Sequence, residues 1–173
     1  MIFDSRPCEL GEGPLWHPLR EELFWFDILN RTLHSQKQSW SFSGYVSAAG
    51  WISRDELLLA SETGLIRFDL VTGTEKAVAE AGTAATRSND GRADRQGGFW
   101  FGTMGKRAEK GAGAIWRWYR GELRRLYEGV TIPNAICFTP DGSAAHFGDT
   151  VLGRVMKVAL DAQGWPKGEP EAW

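Results

Sequence analysis

Four short apolar runs recur along the chain at LFWFDI (23–28), LLLAS (57–61), FWFGT (99–103) and AHFGDT (145–150). Each follows a cluster of chain-reversing residues (HPLREE, SRDE, DRQGG and TPDGS). Each is succeeded by a second strand-like segment, RTLHSQ, GLIRFDL, GAIWRWY or GRVMKVAL, mostly alternating apolar with polar residues. Gly, Pro, Asp and Ser supply the turns, and period-two alternation marks half-buried strands. Long stretches of 3.6-residue period are absent, so the pattern predicts an all-β chain. The runs start 34, 42 and 46 residues apart, near the roughly 40–45 of a four-stranded propeller blade. A β-sandwich also has short strands at steady spacing. The repeated order of turn, strand, turn, strand favours a β-propeller of about four blades.

With 173 residues and 42% hydrophobic content, the chain suits one domain with an ample core. Its 20 Lys+Arg against 22 Asp+Glu provide neither a nucleic-acid footprint nor an acidic tail. The local cluster RWYRGELRR interleaves basic with apolar residues and reads as a strand with one solvated face. Apolar runs are too short to span a bilayer. The segment MIFDSRPCELGEG shows no basic region followed by an apolar one, so no Sec-type signal is visible. Cys8 and Cys137 form no CxxC pair, which excludes a zinc ribbon or dithiol redox motif but leaves open whether they bridge. A cytoplasmic protein with reduced thiols is expected, with neither nucleic acid nor membrane as a partner.

Counting back from the apolar runs gives a candidate site. Glu12 lies 15 residues before Asp27, Asn134 15 before Asp149, and Asn89 14 before Thr103. In a radial repeat, equivalent positions face one axis, so these three metal- or sugar-competent side chains are expected at corresponding places. They are equally readable as turn residues, above all in RSNDGRADRQGG, where Asn-Asp-Gly is strong turn chemistry. His17, His34 and His146 sit in unrelated contexts; His17, followed by Pro18, reads as a surface turn residue. No G-x-S-x-G elbow occurs, which disfavours Ser-His-Asp catalysis.

GEGPLWHP followed by LFWFDI, then RSNDGRADRQGGFWFGTM, then IPNAICFTPDGSAAHFGDT together resemble the SMP-30/gluconolactonase/regucalcin-like family, in order from about residue 8 to the last residue. The resemblance implies a six-bladed propeller with one central divalent cation, acting as a sugar lactonase. It implies that Glu12 and Asn134 ligate the cation while Arg87 and Asn89 contact the substrate. Carboxylate and amide oxygens favour a hard cation, Ca²⁺, Mg²⁺ or Mn²⁺, over Zn²⁺. The family's further ligand and general base is an aspartate of a later blade, expected beyond Trp173. Residues 1–173 are thus expected to be a single partial propeller domain without its C-terminal blades. Asp149 is a weaker candidate for the missing ligand, and Glu109 is the nearest candidate for a further acidic substrate contact. The whole protein is expected to be a monomer or weak dimer. A non-catalytic metal- or carbohydrate-binding propeller, or an inactive fragment, remains the alternative.

Overall fold

A computed structural model describes residues 2–173. Sixteen strands form four sheets of four, each in sequence order. The first comprises β1 (Gly11–His17), β2 (Glu22–Asp27), β3 (Thr32–Ser35) and β4 (Ser39–Ser41). The second is β5 (Val46–Trp51), β6 (Glu56–Ser61), β7 (Gly64–Asp69) and β8 (Glu75–Glu80). Then come β9 (Thr86–Ala93), β10 (Phe99–Gly105), β11 (Gly113–Tyr119) and β12 (Glu122–Val130). The last holds β13 (Pro133–Phe138), β14 (Ala144–Asp149), β15 (Arg154–Ala159) and β16 (Glu171–Ala172). Every pairing is antiparallel. The first strands lie side by side, β1 against β5, β5 against β9 and β9 against β13. This is the all-β propeller architecture, with four blades. Among the described residues, no helix is long and apolar enough to cross a membrane.

The recurring apolar runs are the second strands, and burial on both faces explains why they read as continuous. Leu57 and Leu59 of β6 pack with Phe24, Phe26 and Leu33 of the first blade. The intervening Leu58 and Ala60 pack with Phe99 and Phe101 of the third. Trp100 turns the other way, onto Ile136 and Phe147 of the fourth blade. Period-two geometry thus divides one strand between two inter-blade cores. Such close packing also needs a missing side chain at Gly102, where a Cβ would run into the Pro133 ring.

Asp27 and Asp149 end β2 and β14 and do the same structural work. Asp27 accepts the backbone N–H of Glu9 (2.9 Å) and Leu10 (3.1 Å), and Asp149 those of Thr131 (2.7 Å), Ile132 (3.1 Å) and Val151 (3.1 Å). Each carboxylate anchors the segment leading into its blade's first strand. Burial pushes each carboxyl pKa up, but these hydrogen bonds, with that of Asn30 to Asp27, outweigh it and leave both below the ordinary 3.8. A depressed folded pKa gives stability that is full above the ordinary value and is lost as pH falls through the folded one. The urea midpoint of Asp149→Asn is therefore expected to lie below that of the wild type at neutral pH, with the gap narrowing below about pH 4. A gap that stays constant down to pH 3 would contradict this role.

RWYRGELRR is a hairpin, with β11 on one side of its turn and β12 on the other. Arg120, Arg124 and Arg125 are exposed, as the one-faced pattern suggests, but Arg117 is fully buried. His17 is also wholly buried at the end of β1, its Nε2 3.0 Å from the Ser53 carbonyl oxygen, and is not a surface turn residue. Both cysteines are free thiols.

Candidate functional site

The site is built on bulges in the first strands. Between β1 and β2 the pairing passes from Glu12–Phe26 to Leu15–Phe24, leaving Gly13 and Pro14 opposite Trp25 alone. Between β13 and β14 it passes from Asn134–Gly148 to Cys137–His146. Glu12 and Asn134 therefore occupy the same register position in the first and fourth blades. An extra residue bends a strand and re-aims its side chains, a frequent device beside functional sites. Gly13 follows with φ +57°, and a Cβ there would collide with the Ser47 carbonyl oxygen, so the bulge requires glycine. Ala135, its counterpart, takes φ +59° with a side chain present, a conformation an L-residue adopts only at some cost.

SNDG, which reads as a turn, lies within β9. Its turn-forming residues make a third bulge, where pairing passes from Ser88–Thr103 to Gly91–Phe101. This shifts Asn89 one residue out of register with Glu12 and Asn134, and Ser88 holds their position. Ser88 is buried, accepts from Ser47 Oγ at 2.7 Å and donates to the Ala60 carbonyl at 3.1 Å. Thr103 pairs with Ser88 as Phe26 pairs with Glu12 and Gly148 with Asn134, so it matches Phe26 and Gly148 rather than Asp27 and Asp149, and its 14-residue distance from Asn89 hides the shift.

A hydrogen-bond chain then runs between blades. Arg87 Nη1 donates to Asn89 Oδ1 (2.9 Å) and to the Ser88 carbonyl (2.7 Å). Asn89 Nδ2 donates to Asn134 Oδ1 (3.2 Å) and the Pro133 carbonyl (2.9 Å), while Asn134 Nδ2 donates to Thr150 Oγ1 (2.9 Å). These partners fix which end of the Asn134 amide is oxygen, and one of its lone pairs stays free. Arg87 and Asn89 are buried. Burial lowers the guanidinium pKa, and the fields of Tyr45 and Glu12 oppose that shift.

Glu12 and Asn134, together with Asp90, line one cavity of about 620 Å³. The Glu12 carboxylate enters no hydrogen bond or ion pair among the described residues, so it is free to hold a cation. Asp90 is committed: it accepts the N–H of Gly91 (2.8 Å) and that of Ile136 (2.7 Å), tying β9 to β13. The carboxylate and amide oxygens of Glu12 and Asn134 suit a hard divalent ion. Asp149 is taken up by three backbone N–H groups. Glu109 is exposed and accepts the Arg107 N–H (3.0 Å) within the loop after β10. Sequence reasoning missed Ser47, Ser88, Asp90 and Thr150, whose partners lie up to 46 residues away.

A bulged inner-strand propeller with oxygen donors converging on its central cavity defines the class of this molecule. The chain belongs to the SMP-30/Gluconolactonase/LRE-like family, whose model matches residues 10–171. It superposes on a calcium-binding protein, regucalcin, from Agrobacterium tumefaciens with a TM-score of 0.94 and 40% identity, over 98% of this chain and 60% of that one. Pentonolactonase XacC of Haloferax volcanii is 32% identical over 163 residues, covering 90% of this chain and 55% of its own. L-arabinolactonase of Azospirillum brasilense is 31% identical over 169 residues, covering 90% and 56%. The chain thus spans less than two thirds of the length of these relatives.

Proposed function

We propose that this chain supplies the cation- and substrate-holding part of a hydrolase that opens sugar lactones to the corresponding aldonic acids. The observation that carries the reading is the shared register of Glu12 and Asn134 on one cavity; Arg87 and Asn89 do not line that cavity and join it through the Asn89–Asn134 hydrogen bond. Relatives support it: one is a pentonolactonase, one an L-arabinolactonase, and one structure is of a calcium-binding protein.

In this reading Glu12 and Asn134 hold one divalent cation, Ca²⁺, Mg²⁺ or Mn²⁺ before Zn²⁺, because their donors are hard oxygens. The bound cation supplies Lewis-acid polarisation of the lactone carbonyl. Arg87 offers the lactone oxygens its Nε and Nη2 donors, since Nη1 is spent on Asn89 and Ser88. Asn89, bonded at both ends, steadies Arg87 on one side and the Asn134 oxygen on the other. The general base comes from outside residues 1–173, which form one partial propeller domain of a longer six-bladed ring; the coverage of 55–60% of the relatives supports this. The whole protein is read as a monomer or weak dimer. Two free thiols support a cytoplasmic setting.

Proton release from an aldonolactone, followed with the whole protein, tests the reading. Turnover is expected to vanish on chelation and to return with Ca²⁺, Mg²⁺ or Mn²⁺. Cation binding without turnover would replace it with a binding role, and turnover indifferent to chelator would remove the cation from the chemistry.

A further inference from the structure

We infer that the first blade carries a second, zinc-type cation site made by Cys8, Asp27 and His34. Cys8 Sγ, a carboxylate oxygen of Asp27 and a ring nitrogen of His34 lie within 4.8 Å of one another. None of the three lines the central cavity that Glu12 and Asn134 share. They come from three separate segments: the lead-in to β1, the end of β2 and the middle of β3.

The fourth blade provides an internal control. Asp149 corresponds to Asp27, and the matching pairings Asp27–Thr32 and Asp149–Arg154 set His34 opposite Met156 in equivalence. The anchored amides Glu9 and Leu10 match Thr131 and Ile132, so Cys8 matches Val130. Val130, Asp149 and Met156 line one cavity of about 320 Å³ with Phe147. The blade therefore needs its aspartate, while apolar Val and Met suffice at the other two positions. In the first blade those positions hold a thiol and an imidazole, the ligand types that zinc takes up.

The surroundings suit coordination. Ser39 Oγ lies 2.7 Å from His34 Nδ1 and also accepts from Arg6 Nη1 at 3.1 Å. It can thus take the Nδ1 proton and leave the Nε2 lone pair for a metal, as outer partners of metal-bound histidines do. Asp27 receives firm hydrogen bonds from Glu9, Leu10 and Asn30 Nδ2, but the Asn30 backbone N–H is slack at 3.4 Å and leaves a lone pair to yield. Zinc bond lengths of about 2.0–2.3 Å set tetrahedral ligands about 3.3–3.8 Å apart. The three donors must therefore close by about an ångström, which the partly exposed Cys8 and His34 can do by side-chain rotation. Three protein ligands leave a fourth position for water. Occupancy would clip the lead-in segment to β3 and stabilise the first blade by linkage.

Co²⁺ titrated into the reduced protein tests the site through the thiolate-to-cobalt charge-transfer band. In Glu12→Gln, which lacks the carboxylate of the central site, the band is expected to saturate at one equivalent and to be displaced by Zn²⁺. It should survive Glu12→Gln and Cys137→Ser, disappear in Cys8→Ser, and need at least about tenfold more Co²⁺ in His34→Ala. On the unaltered protein, Zn²⁺ should raise the thermal midpoint and slow alkylation of Cys8 but not of Cys137. Absence of the band in the wild type, its persistence in Cys8→Ser, or alkylation of Cys8 unaffected by Zn²⁺ would overturn the assignment. Because Glu12→Gln leaves this readout intact, the site stands or falls separately from the lactonase reading.

Discussion

Replacing Arg117 by alanine is expected to lower the stability of the fold by about 3–5 kcal/mol, the range for removing one partner of a buried ion pair. Arg117 and Asp94 are both fully buried, with Nε 2.7 Å from Asp94 Oδ2. The same guanidinium donates through Nη2 to the Gln163 carbonyl at 2.7 Å and lies over the rings of Trp165 (4.3 Å) and Tyr119 (4.6 Å). It thereby ties the third blade to the turn that follows β15. The other oxygen of Asp94 accepts the Gly98 N–H at 2.7 Å, so the carboxylate is fixed in place and cannot swing out to water. Alanine leaves that charge uncompensated in a site without solvent, and it also removes the flat group that lies over two aromatic rings. Urea unfolding of Arg117→Ala beside the wild type measures the loss. A loss under about 1 kcal/mol, the worth of a screened surface pair, would show that solvent reaches Asp94.

Much of the architecture was legible because a blade's second strand is buried on both sides. LLLAS and FWFGT stand out as unbroken apolar runs because alternate residues serve two different cores. The third strands were legible from their alternation. First strands were hidden for a physical reason: the bulge that aims Glu12 or Asn134 also breaks the period-two pattern. In β9 that bulge uses Ser, Asn, Asp and Gly, residues that ordinarily mark a turn. The fourth strands carry little signal; β4 and β16 are three and two residues long, and β8 is largely exposed.

The site was legible to a similar degree. Equal offsets found the matching places of Glu12 and Asn134, and the resemblance drew in Arg87 and Asn89. The contacts that organise them were not legible, since Asn89 reaches Pro133 and Asn134 across 44 and 45 residues. Blade stacking decides those pairings, and short-range pattern carries no trace of it. Arg117 was misread for the same reason: alternation showed which face it shares with its neighbours, but not that Asp94 and Trp165 cover that face.

Glu12→Gln is expected to weaken Ca²⁺ binding by more than about 100-fold, because groups that merely orient a metal ligand are already worth about 10–100-fold. The substitution keeps size and shape and removes only the charge. Glu12 is partly exposed and has no protein hydrogen-bond partner among the described residues, so the fold should be unaffected, with stability within about 0.5 kcal/mol of the wild type. Any loss of affinity then belongs to the site. Calorimetric titration of Ca²⁺ into wild type and Glu12→Gln, at one pH and ionic strength, measures this directly. One Ca²⁺ per chain in the wild type and more than about a hundredfold weaker binding in the variant are the predicted results; equal affinity in the two would contradict the placing of a cation between Glu12 and Asn134.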